Sequence, residues 1–116
     1  MLVWGLCCLN LTVAAVQPLE QPYASALAAL EAGKTDVAMR ELKLSLQLNP
    51  LHAESHFLLA ALLGREGQID QAMVGYKRVM TLEPNNAVAR YNLGTSLLVR
   101  GEPVQAARLL NRVTGS

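Results

Sequence analysis

Pro50 and Pro84 stand 34 residues apart, and the segments that precede them align slot by slot. A repeat constrains a fold more than any local signal, because one unit cannot bury its apolar face alone and stacks on its copies. Residues 19–52 read LEQPYASALAALEAGKTDVAMRELKLSLQLNPLH, and residues 53–86 read AESHFLLAALLGREGQIDQAMVGYKRVMTLEPNN. Residues 87–116, AVARYNLGTSLLVRGEPVQAARLLNRVTGS, form a third copy that stops before the proline slot.

The anchors recur in register. Ala26, Ala60 and Gly94 share a slot for small residues, where two helices come close. Gly33, Gly67 and Gly101 share the next, where the chain turns and positive φ is cheap only for glycine. Ala38, Ala72 and Ala106 mark a second tight crossing, and Leu42, Tyr76 and Leu110 supply bulk on the second helix. Helical rather than alternating spacing of Leu58, Leu59, Leu62 and Leu63 predicts an all-α chain. Helices are expected near 22–32, 36–48, 54–65, 70–82, 88–99 and 103–113. Pro22 and Pro103 suit first helical positions, where a missing N–H costs nothing. Asp36 and Asp70, near the starts of second helices, can cap free N–H groups and oppose the dipole.

This pattern resembles the tetratricopeptide repeat, a helix–turn–helix unit of the same period. Ala60, Gly67, Ala72, Tyr76 and Pro84 match it, as do Tyr91, Leu93, Gly94, Gly101 and Ala106. The tryptophan slot departs from it, holding Pro22, His56 and Arg90, and Ser25 replaces a leucine. The resemblance implies an α-solenoid of about three units, with repeats at 19–52, 53–86 and 87–116, the last incomplete at its C-terminal end. It also implies a non-catalytic interaction module, in which the first helix of each unit lines a concave groove. The groove slots would carry Tyr23, Phe57 and Tyr91, then Leu27, Ala61 and Thr95, then Leu30 and Leu98. Such a surface suits an apolar peptide or partner protein; the competing reading is that the aromatics pack between neighbouring first helices. Family members that grip a carboxylate tail use lysine and arginine in this groove. Here those positions hold Tyr23, Leu27, Leu58, Val88 and Asn92, which argues against such a clamp.

Residues 1–18 differ in kind, being mostly apolar with no charged side chain. Three readings stand open: a cleaved signal peptide ending at Ala15, a membrane anchor short of the roughly 20 residues a span takes, or a packed N-terminal helix. The first two place the protein in the secreted, periplasmic or envelope-associated class; the third leaves it cytoplasmic. Cys7 and Cys8 are adjacent and badly placed to bridge each other.

A net charge of +1 provides no dense patch for phosphate and argues against nucleic acid. His52 and His56 lie four apart beside Glu54, but the order His-Ala-Glu-Ser-His is not that of a zinc hydrolase helix. No phosphate loop or nucleophile–base motif is present, so neither catalysis, metal nor cofactor is expected. Two further readings remain: the N-terminal substrate-recruiting part of a larger enzyme or assembly protein, and a self-association module using Leu109, Leu110 and Val113 of an uncovered last helix.

Overall fold

The structure, a computed structural model, describes residues 21–113 and their side chains as far as Asn111. The expectations for residues 1–18 lie outside that range. Six helices follow in order: α1 (Gln21–Glu31), α2 (Thr35–Leu48), α3 (Ala53–Arg65), α4 (Ile69–Leu82), α5 (Ala87–Val99) and α6 (Pro103–Val113). There is no strand among the described residues, and the architecture is an all-α array of helix–turn–helix pairs. Five of the six helices begin one residue before the position expected from sequence. None of the described helices is long and apolar enough to cross a membrane.

The turn inside each pair is the same structure three times. Gly33 at φ 76°, Gly67 at φ 83° and Gly101 at φ 80° are the only residues with positive φ among those described. Each glycine N–H bonds three residues back, and the following N–H bonds five back; in the second pair these are Gly67 to Gly64 at 3.1 Å and Gln68 to Leu63 at 2.9 Å. That double bond is the Schellman closure, which satisfies carbonyls the helix end leaves orphaned.

Burial repeats with the same period. In α2 the buried residues are Ala38, Met39, Leu42 and Ser45, and in α4 they are Ala72, Met73, Tyr76 and Val79. Each set keeps one face of an amphipathic helix inward, with small residues where its partner crosses.

The chain divides after Pro50 into two compact units. In the first, α1 packs on α2 and buries Pro22, Ala26 and Ala29, which lie on one face at helical spacing. In the second, α3 packs on α4, α4 on α5 and α5 on α6. Two glycines mark its close approaches: a Cβ on Gly75 would lie 2.7 Å from that of Ala60, and one on Gly94 would lie 2.8 Å from Leu110. Leu109 and Leu110, expected to be uncovered, are half-buried.

The capping expectation needs correction. The residues before α2 and α4 are Lys34 and Gln68, and neither makes a side-chain cap bond. Asp36 and Asp70 lie inside the first turn, where they oppose the dipole without capping. The side-chain cap belongs instead to Asn86, which accepts from the Ala89 N–H at 2.9 Å before α5.

Candidate functional site

In the second unit, Val88, Tyr91, Thr95, Leu98 and Val99 recur at spacings of three and four along α5, which puts them on one face. Tyr91 is 54% exposed and Leu98 50% exposed; Val88 and Val99 are also exposed, and Thr95 is half-buried. The Thr95 and Ser96 hydroxyls both donate to the Asn92 carbonyl, at 2.9 and 2.8 Å. Those bonds turn the polar atoms of the helix back on its own backbone, so the outward face is mostly apolar.

On α3 the corresponding residues, Phe57 and Ala61, are half-buried. Phe57 meets the ring of Tyr76 edge to face, with centroids 5.7 Å apart and planes at 67°. Tyr76 is buried on α4, and its side chain hydrogen-bonds Asn92 of α5. Burial raises the phenol pKa above its ordinary 10.0, and the bond from Asn92 pulls it partly back. Phe57, Tyr76 and Asn92 therefore tie three successive helices, α3, α4 and α5, together.

In the first unit, Tyr23, Leu27 and Leu30 share one face of α1; Leu27 is exposed and the other two are half-buried. The structure thus groups the expected residues as three on α1, two on α3 and three on α5. Val99 was not singled out from sequence, although its place next to Leu98 on the same face was the available signal.

Charged contacts lie away from these faces. Arg100 pairs with Asp70 and reaches Glu102 at 3.8 Å. Arg90, in a tryptophan slot, donates from Nη2 to the Pro84 carbonyl at 2.6 Å. His52 bonds Ser55 through Nδ1 at 2.7 Å and lies 3.5 Å from Glu54. Among the described residues, no group of three or more His, Cys, Asp or Glu side chains is placed to hold a metal ion.

Residues 65–116 match the family model described as tetratricopeptide repeat. No curated protein matches the chain. Among solved structures, MamA superposes with a TM-score of 0.79 at 18% identity, over 84% of this chain and 57% of that one. YrrB, titled a TPR protein with an unusual peptide-binding site, gives 0.73 at 22% identity, over 82% and 49%. A mutant O-GlcNAc transferase of Thermobaculum terrenum gives 0.72 at 26% identity, over 82% of this chain and 18% of the enzyme. The chain thus spans about half the length of the MamA and YrrB chains it resembles.

Proposed function

We propose that the chain, whose residues 65–116 match the tetratricopeptide repeat model, is a non-catalytic module of that family that holds a segment of another protein against the apolar face of a first helix in its second unit. The observation that carries this reading is the exposed row Val88, Tyr91, Leu98 and Val99 on α5. Burying a large apolar side chain contributes about 1.5–3 kcal/mol, so a row of them left in water favours a partner that covers it. Phe57 and Ala61 on α3 hold the equivalent slots in the same unit, and in the first unit Tyr23, Leu27 and Leu30 hold them on α1. Thr95 lies in the middle of the α5 face. The absence of lysine and arginine from these slots favours an apolar segment over an acidic tail.

Selection of displayed peptides on the purified chain tests this. Apolar sequences should be enriched, and their binding should be lost in the variant Tyr91→Asp with Leu98→Asp while helicity is kept. Enrichment of nothing, or binding indifferent to both changes, would remove the reading.

A further inference from the structure

The row on α5 that is proposed to hold a partner segment also limits the shape of that segment, an inference that rests on the capture itself. Val88, Tyr91, Thr95 and Leu98 follow one another at steps of three, four and three residues, with Val99 beside Leu98. All but the half-buried Thr95 are exposed. At about 100° per residue the five cover about 100° of the helix surface, and from Val88 to Leu98 the row runs about 15 Å. No charged side chain stands in it. Arg90 lies one residue before Tyr91, about 100° around the helix, and donates to the Pro84 carbonyl. Arg100, just past the end of α5, pairs with Asp70. The Thr95 and Ser96 hydroxyls donate to the Asn92 carbonyl, and the Asn92 side chain is bonded to Tyr76.

We propose that the segment held on this row is an amphipathic α-helix of the partner, laid along α5 with an uncharged apolar seam against it. A partner helix with apolar residues at steps of three and four repeats its seam about every 5 Å, the average step of the α5 row, so the two stay in register along its whole length. An extended segment turns a side chain to one face about every 6.7 Å and loses register within the same distance. The backbone points the same way. An extended segment brings unpaired N–H and C=O groups that need partners wherever they are covered, whereas a helix brings them bonded to one another. Beyond the Tyr91 hydroxyl the row has no free side-chain donor to offer them, because the Thr95 hydroxyl and the Asn92 side chain are engaged within the chain. Charge sets the last condition. A charged residue in the partner's seam would lose its water here and meet no counter-charge, so the partner's charges belong on the outer face of its helix.

The test is an amide chemical-shift titration of the full chain with two synthetic peptides of one composition, each of about 18 alanine, glutamate, lysine and leucine residues. In the first the leucines stand at alternate steps of three and four, and in the second at every other position. The first should give saturable shifts centred on Val88, Tyr91 and Leu98 and gain helicity on binding. A central proline in that peptide, or Leu98→Asp in the chain, should weaken it by about tenfold or more. The second peptide should bind about tenfold more weakly than the first, or less well still. Equal or tighter binding of the second at the same residues would overturn the helix and leave the capture of an apolar segment standing. Saturable shifts centred elsewhere, or none with either peptide, would overturn the proposal, and the displayed-peptide selection then decides whether the capture falls with it. Shifts at Tyr91 on dilution of the chain alone would give the row to a second copy and overturn it as well.

Discussion

Phe57 stands edge-on to Tyr76 with ring centroids 5.7 Å apart, so this half-buried side chain of α3 is also a brace for the buried face of α4. An aromatic pair in this geometry contributes about 0.5–1.5 kcal/mol beyond the area it buries. A double-mutant cycle of Phe57→Leu and Tyr76→Leu, read by urea denaturation, should return a coupling of that size. Zero coupling would mean the rings merely adjoin. Because of this brace, Phe57→Asp should lower stability as well as any partner capture, whereas Tyr91→Asp should leave stability nearly unchanged.

The Tyr76 phenol carries a pH signature. Its pKa lies above 10.0 in the folded chain because burial penalises the phenolate. Above the unfolded value the folded state therefore holds more protons than the unfolded one, and stability falls as pH rises. The contribution is fully present below about pH 10 and is lost through the window up to the raised value. Urea midpoints measured from about pH 9 to about pH 11 should drop more steeply in the parent than in Tyr76→Phe. Equal slopes would place the alkaline loss on other groups.

Much of this fold was legible because its determinants are local and periodic. Gly33, Gly67 and Gly101 announced three identical turns, since only that residue adopts the required φ without strain. The spacing of Ala38, Leu42, Ala72 and Tyr76 announced which helix face turns inward. The cap at Asn86 is not legible from composition, because Asp36 and Asp70 carry the same capping chemistry and whether a side chain caps depends on its place relative to the first helical turn. The tie from Tyr76 to Asn92 joins residues on different repeats, and nothing in one-dimensional spacing reports it. Likewise, that Tyr91 would be more exposed than Phe57 follows from which helix lies beside each ring, although both occupy one slot.

Two helical glycines should respond to alanine with opposite signs. Gly64 would place its Cβ at an ordinary 3.7 Å from that of Ala72, so Gly64→Ala gains helix propensity and should stabilise by about 0.5 kcal/mol. At Gly75 the same change puts two Cβ atoms 2.7 Å apart, beside the His56 carbonyl at 3.3 Å. Forcing α3 from α4 costs about 1–3 kcal/mol, which outweighs the propensity gain. Thermal unfolding of the two single variants decides it, and stabilisation of both would show that α3 and α4 separate freely.

The beginning of α5 depends on one side chain. Asn86 accepts from Ala89 at 2.9 Å and donates from Nδ2 to the Glu83 carboxylate at 3.0 Å, so it holds the inter-repeat turn and the first helical turn together. Asn86→Ala should cost about 1 kcal/mol, the usual loss of a cap whose N–H partner is left to water. Asn86→Asp keeps the acceptor for Ala89 but turns a hydrogen bond with Glu83 into repulsion between carboxylates. Its loss should therefore be recovered in Asn86→Asp with Glu83→Gln. Comparison of the three melting temperatures separates the cap from the turn, and an Asn86→Ala chain as stable as the parent would show that the start of α5 is held by packing alone.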